Sequence, residues 1–156
     1  MDHLLTLLRA AAEDTRLRIL ALAAREDLTV SDYVHVLGQS QPRVSRHLKL
    51  LVEAGLLERF REAQFTRFRL TTGGDDAALV REFVRRLDPR HARIAADRSR
   101  LDGLLLDFSR HFLSDETLPL LTALARAREL PAWIERMFSI YKRTDTATLL
   151  SLSYRM

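Results

Sequence analysis

Five consecutive residues, Gly38-Gln39-Ser40-Gln41-Pro42, close one helical pattern and open another with almost no chain between them. Glycine takes the left-handed conformation that ends a helix without the steric penalty of a Cβ. Serine is a favoured N-cap, and a proline in the first helical turn gives up only an N–H that has no intrahelical partner. Upstream, Thr29-Val30-Ser31-Asp32 has the form of a capping box and opens a short helix, SDYVHVLG, that Gly38 ends. Downstream, QPRVSRHLKLLVEAG runs on to Gly55. Two helices joined by so short a turn are a helix-turn-helix.

The second of these helices sorts its side chains by face. At about 100° per residue, Val44, Leu48 and Leu51 share one side and pack, Arg46, Lys49 and Glu53 point the other way, and Arg43 and His47 flank the apolar stripe. An exposed helix of this size fits the major groove of B-DNA, where its N-terminal residues approach base edges. Arginine can pair bidentately with guanine, and Gln41 can read adenine in the same way. Lys49, further along, is placed for phosphate, which gives affinity without sequence information.

After Gly55 the period changes from helical to alternating. LLERFRE and FTRFRLT read as two strands with EAQF near the tip; Phe68 and Leu70 share one face of the second strand, Arg67 and Arg69 the other. A hairpin after a helix-turn-helix is a wing. Phe60, Phe65 and Phe68 are assigned to packing against the helices rather than to base stacking, because duplex DNA exposes no base faces. Between Gln41 and Leu70 stand seven cations (Arg43, Arg46, Lys49, Arg59, Arg61, Arg67, Arg69) and three anions (Glu53, Glu58, Glu62), so the whole formal net charge of +4 is concentrated there. A solvated face ordinarily mixes both signs; this bias points to nucleic acid.

The flanking segments supply the core. HLLTLLRAAA, residues 3–12, places Leu4, Leu5 and Leu8 on one side, and Asp14 can cap a following helix whose Leu17, Leu20, Ala21 and Ala24 form a stripe widened by Ile19, Leu22 and Ala23. A helix so apolar is expected at the centre. After the wing, DDAALVREFVRRLD presents Leu79, Val80, Phe83, Val84 and Leu87 as a broad apolar side that needs a partner. HARIAADRSRLDGLLLDFSRHF reads as a long amphipathic helix through Leu101, Leu104, Leu105, Phe108 and Phe112. Ser114 and Pro131 can each open a further helix, and the tail TDTATLLSLSYRM has no clear period.

Composition closes off other classes. With 156 residues and 47% hydrophobic content the chain suits one domain, or a small domain with an appendage. No apolar run approaches the roughly 20 residues of a membrane span, and no basic leader precedes an apolar segment, so a soluble cytoplasmic protein is expected. Zero cysteines exclude disulfides, thiolate metal sites and cysteine nucleophiles within this sequence.

The run from Leu28 to Thr71 resembles the winged-helix core of the ArsR-type bacterial repressors. The signature S-x-P-x-V-S-R-H-L-K-x-L-x-x-A-G-L is nearly complete here as SQPRVSRHLKLLVEAGL, and with flanking helices the likeness covers about the first 90 residues. The resemblance implies a homodimer joined through the first helix and the post-wing helix. It also implies an operator of inverted half-sites about one helical turn apart. Departures matter: Thr29 and Ser31 stand where many members carry metal-sensing cysteines. Asp88-Pro89-Arg90-His91 interrupts a second metal site with proline and arginine, and the five histidines form no H-x-x-H or H-x-x-x-H pair. Ala63 occupies the wing tip, where glycine is common.

The winged-helix core followed by an Arg- and Ala-rich helix such as ARIAADRSRLDG also resembles the front of regulators that continue into an S-adenosylmethionine-dependent methyltransferase domain, which makes a DNA-binding front portion with the enzyme domain missing the alternative. The five glycines, at 38, 55, 73, 74 and 103, build no G-x-G turn after residue 74, and no catalytic constellation is visible. A winged helix used only for protein binding predicts an acidic or neutral outer face, unlike residues 43–49.

The expected architecture is mainly α with a small β-hairpin. Residues 1–88 form a winged helix-turn-helix DNA-binding and dimerisation domain, and residues 89–156 a helical extension for dimerisation or effector binding. The expected function is sequence-specific, double-stranded DNA binding by a homodimeric repressor that is neither an enzyme nor a cysteine-based metal sensor. Candidate DNA contacts are Ser40, Gln41, Arg43, Ser45, Arg46, His47, Lys49, Arg61, Arg67 and Arg69, with no catalytic residue, metal ligand or cofactor. The effector, the operator sequence and the role of residues 114–156 are not legible.

Overall fold

The computed structural model describes residues 1–112 and positions 119 and 123, with side chains continuous through residue 107. Among these residues the order is α1 (Asp2–Ala11), α2 (Asp14–Ala23), α3 (Val30–Leu37), α4 (Gln41–Glu53), β1 (Leu57–Glu62), β2 (Phe65–Leu70), α5 (Gly74–Arg86) and α6 (Ala92–Phe112). Residues 1–101 form one compact unit and residues 102–156 a second. The helices expected to open at Ser114 and Pro131, the tail, and the side chains of Phe108 and Phe112 lie outside the described residues. Among the described residues no helix is long and apolar enough to cross a membrane.

α2 is the hub of the first unit. Ile19, Leu20, Leu22 and Ala23 are all buried, which corrects the expected stripe: of its members only Leu20 is buried, Leu17 and Ala21 being half-buried and Ala24 exposed, because a helix apolar on nearly every side leaves the inward face to its neighbours. Its cap differs from expectation by one residue: the Glu13 carboxylate accepts the N–H of Arg16 at 2.9 Å. Asp14 lies inside the first turn, where negative charge suits the helix dipole, and accepts from Arg93 at 2.7 Å. Both acids satisfy the local rule for a helix start, and only the backbone decides which of them is N-cap.

α1 corrects the apolar stripe assigned to it. Leu7 and Ala11, an i, i+4 pair, face the core, whereas Leu4, Leu5 and Leu8 remain 48%, 39% and 42% exposed. The helix has leucines on both sides, so periodicity alone does not decide which side turns inward.

α3 and α4 form as their punctuation dictates. Thr29 and Asp32 make a reciprocal capping box, with the Thr29 N–H donating to the Asp32 carboxylate at 2.8 Å, and Gly38 ends α3 at φ 64°. Tyr33, Val36 and Leu37 from α3 are buried in the core with Val44, Leu48 and Leu51 from α4. Complete burial of one such aliphatic side chain contributes about 1.5–3 kcal/mol, enough for the two of α3, with the Tyr33 ring, and the three of α4 to fix the angle between short helices.

The wing is an antiparallel hairpin in the register Leu57↔Leu70 through Glu62↔Phe65, closed by the two-residue turn Ala63-Gln64. Ala63 sits at φ 54°, a conformation that glycine adopts freely and alanine does not. Leu57 and Phe68 anchor the hairpin base in the core. Phe60 is half-buried and Phe65 exposed, so of the three phenylalanines only Phe68 packs into the core as expected. A bridge not foreseen from sequence adds a third short edge: Leu28 and Phe68 exchange both backbone hydrogen bonds, at 3.2 and 2.9 Å. The wing is thereby tied to the residue preceding the α3 cap.

α5 and the first turns of α6 complete the unit. Ala77 and Val80 of α5 are buried, while Leu79, Phe83, Val84 and Leu87 are half-buried. His3 of α1 bonds the Asp76 carboxylate at 2.9 Å, linking the starts of α1 and α5. On α6, Leu101 is buried and Asp97, 2% exposed, holds Arg18 of α2 in a two-pronged ion pair at 2.6 and 2.7 Å. The bidentate geometry supplies the compensation a buried carboxylate requires, and the Asp97 bonds raise the Arg18 pKa despite partial burial.

Candidate nucleic-acid interface

The outer surface of α4 and the wing separates the seven cations into two groups. Each of the three glutamates in this stretch is matched with one cation: Lys49 with Glu53 at 3.7 Å, Arg69 with Glu58 at 3.0 Å, and Arg67 with Glu62 at 2.9 Å. The four others, Arg43, Arg46, Arg59 and Arg61, are exposed and make no ion pair or hydrogen bond among the described residues. The local excess of +4 therefore resides on these four side chains.

The strand register explains the division within the wing. Leu57, Arg59 and Arg61 project to one face together with Phe68 and Thr66, and Glu58, Phe60 and Glu62 to the other with Arg69 and Arg67. On the second face Arg69 lies directly opposite Glu58 and stacks over Phe60 at 4.6 Å, while Arg67 also donates to the Asp27 carbonyl at 2.9 Å and lies 5.8 Å from the Phe65 ring. Glu58 also accepts the Thr72 N–H at 2.9 Å; that bond, with Arg69, holds its pKa below the usual carboxylate value. This face is a neutral ladder of alternating charge and aromatic surface. Arg59, omitted from the sequence candidates, lies beside Arg61 on the unneutralised face.

On α4, Ser40, Gln41, Arg43, Arg46 and Lys49 are exposed and Ser45 is half-buried. Ser40 occupies the N-cap without a side-chain cap bond, so the first amides of the helix have no side-chain acceptor. His47 is placed differently: its side chain is only 12% exposed, with Nδ1 3.7 Å from the Glu13 carboxylate and without a hydrogen bond. Burial is the largest influence on His47 and lowers its pKa; Glu13 opposes this, and Arg16, Arg43 and Arg46 reinforce it. Burial also works to raise the Glu13 pKa, but the N–H groups of Arg16 and Thr15 and the nearby His47 bring it below the ordinary value. Gln39, in the turn, donates to Thr15 Oγ1 at 3.2 Å. The turn and α4 are thus fastened to the first turn of α2 at two points.

A concavity of about 610 Å³ opens beside α4, lined by Arg16, Ser40, Pro42, Arg43, Arg46, His47 and Leu50. It contains three arginines and no carboxylate in its lining. Among the described residues no group of three or more His, Asp or Glu side chains gathers as a metal site.

A short-turn helix pair whose second helix is exposed and cationic, followed by an antiparallel hairpin bridged back to the first of the pair, is a winged helix-turn-helix domain. The profile of the family described as "Bacterial regulatory protein, arsR family" matches residues 13–59, from the cap of α2 into β1. The arsenic resistance transcriptional regulator ArsR1 of Pseudomonas putida is 46% identical over 63 residues, which are 40% of this chain and 49% of that protein. The arsenical resistance operon repressor of Escherichia coli K12 is 42% identical over 66 residues, 42% of this chain and 56% of that protein. The chain thus spans about half the length of these two relatives. The transcriptional repressor SdpR of Bacillus subtilis is 33% identical over 64 residues, 41% of this chain and 71% of that protein. Among solved structures, reduced HlyU from Vibrio cholerae shares 30% identity over 54% of this chain and 87% of that one, with a TM-score of 0.47. The chain belongs to the ArsR family.

Proposed function

We propose that the chain is a sequence-specific, double-stranded DNA-binding transcriptional repressor that acts as a homodimer on an inverted-repeat operator. The observation that carries this reading is the set of four unpaired arginines, Arg43 and Arg46 on α4 and Arg59 and Arg61 on one face of the wing. In this reading α4 enters the major groove. Gln41, Arg43 and Arg46 approach base edges, Ser40, Ser45 and Lys49 contact the backbone, and the wing lays Arg59 and Arg61 along the adjacent phosphates. Arg67 and Arg69 serve the shape of the wing rather than the contact, and His47 braces α4 against α2. The exposed face of Leu4, Leu5 and Leu8 beside α5 supports dimerisation through α1 and α5, since an apolar side of this kind needs cover.

The repressor sign is supported by the names of the relatives. The dimer blocks polymerase by occupying an operator that overlaps a promoter, and an effector releases it by favouring a state whose two recognition helices no longer match the groove spacing. Arsenic belongs to two relatives' names; these 156 residues contain no cysteine, so the inducing signal proposed here does not act through thiolate ligands. Arg46→Ala tests the reading. In anisotropy titrations it is expected to abolish preference for a selected duplex over random duplex, whereas Lys49→Ala weakens both alike. Equal losses on both duplexes for Arg46→Ala count against base readout.

A further inference from the structure

Arg16 is the basic side chain on the α4 surface that belongs neither to the helix-turn-helix nor to the wing. Its Nε donates to the Ala10 carbonyl and its Nη2 to the Arg9 carbonyl at 3.3 Å, so the guanidinium closes the C-terminal end of α1 and is held against the wall of the 610 Å³ concavity. It has no carboxylate partner among the described residues, because the nearby Glu13 carboxylate takes the Arg16 backbone N–H and faces His47. Arg43 and Arg46, likewise unpaired, line the same concavity. Three guanidinium groups around one open space repel one another, and an anion held by Arg16 at its wall relieves that repulsion while leaving Arg43 and Arg46 to reach past it to the bases. The amides of the first α4 turn, uncapped by Ser40, add donors at the same rim.

We propose that this concavity is a phosphate site that seats one phosphodiester of the duplex backbone, with Arg16 as its anchoring contact from α2. The inference rests on the DNA-binding reading above and deepens it by adding a contact outside α4 and the wing. A backbone phosphodiester is favoured over free phosphate because the space is open and continuous with the exposed side of α4, so a polymer can pass along it. Arg16 is also fixed by two carbonyls before any ligand arrives, which reduces the ordering cost of the contact.

The test is fluorescence anisotropy of the full chain on selected and random duplexes at several chloride concentrations, comparing wild type, Arg16→Ala and Arg16→Lys. Arg16→Ala is expected to weaken both duplexes equally and to reduce the log–log salt slope by about 1.8, one phosphate contact from each protomer of the bound dimer. Arg16→Lys keeps the charge but not the fork that closes α1, and is expected to retain the wild-type slope even if its thermal midpoint falls. A wild-type slope in Arg16→Ala, or a slope in Arg16→Lys as reduced as that expected of Arg16→Ala, overturns the proposal while leaving the DNA-binding reading intact. Absence of any salt-dependent duplex binding by the wild type overturns that reading itself. Inorganic phosphate is titrated against preformed complex at matched ionic strength. Competition no stronger than that of chloride supports the phosphodiester, and stronger competition that Arg16→Ala abolishes assigns the site to free phosphate instead.

Discussion

The division of the wing into a neutral face and a cationic face makes a prediction with a built-in control. Two double variants alter the same hairpin: Arg59→Gln with Arg61→Gln removes the unpaired arginines, and Glu58→Gln with Arg69→Gln removes a cross-strand ion pair without changing net charge. Each phosphate contact contributes about 0.9 to the log–log salt slope, equivalent to about 3.5-fold in affinity between 50 and 200 mM salt. The first variant is therefore expected to flatten the slope by about 3.6, two contacts from each protomer of the bound dimer, and the second to leave it unchanged. The second instead costs stability. The Arg69 and Glu58 side chains are 40% and 33% exposed, so their pair, discounted for solvent screening, contributes about 0.5 kcal/mol. The stacking of Arg69 over Phe60 at 4.6 Å adds about 0.5 kcal/mol. A loss of about 1 kcal/mol lowers the thermal midpoint of a chain this size by about 4 °C. Anisotropy at four or more salt concentrations and a thermal melt on the same preparations read both quantities. If the Glu58/Arg69 variant flattens the slope as much as the Arg59/Arg61 variant, the assignment of the two faces is wrong.

Three other outcomes follow from the same geometry. Asp97→Asn removes the two-pronged partner of half-buried Arg18, leaving it, among the described residues, only the Asp14 carboxylate at 3.9 Å, and is expected to destabilise the first unit by about 2 kcal/mol, read as a lower urea midpoint at unchanged m-value; a shift within error contradicts the role given to this pair. Ala63→Gly relieves a left-handed residue at the wing tip and is expected to raise stability by about 1 kcal/mol, with an unchanged or lower melting midpoint as the contrary result. Because burial lowers the His47 pKa, the unfolded chain takes up that proton first as pH falls. Stability from neutral His47 is then complete above the ordinary value of 6.5 and is lost as pH drops through it toward the folded-state value. His47→Gln should remove this increment of acid sensitivity as pH falls below the ordinary value of 6.5, and an identical pH profile in variant and wild type argues against it.

The helix-turn-helix was legible because its signals are local. Gly38, the Thr29–Asp32 box and Pro42 each act within one turn of chain, and the Val44, Leu48, Leu51 stripe follows from helical period alone. Features that depend on which distant segments meet were not legible in the same way. Leucines on both sides of α1 leave the inward face to be chosen by α2 and α4. The Leu28–Phe68 bridge joins residues forty positions apart in sequence. Charge alone nominates Arg67 and Arg69 as contacts, and only the register shows that Glu62 and Glu58 share their face. Pairing the two strands from the Ala63-Gln64 turn outward would have exposed that ladder and brought Arg59 forward. His47 flanks the apolar stripe at an angle compatible with either direction, and Glu13, 34 positions earlier, draws it inward.

The decisive experiment is sedimentation of the full chain with a labelled duplex taken from selection on a random pool, run at low and at physiological salt. Two protomers per duplex, with affinity falling as a steep power of salt and unlabelled random duplex competing poorly, is the expected result. A chain that stays a single copy and shows no preference for any duplex even at low ionic strength contradicts the reading of α4, the wing and the α1 face together.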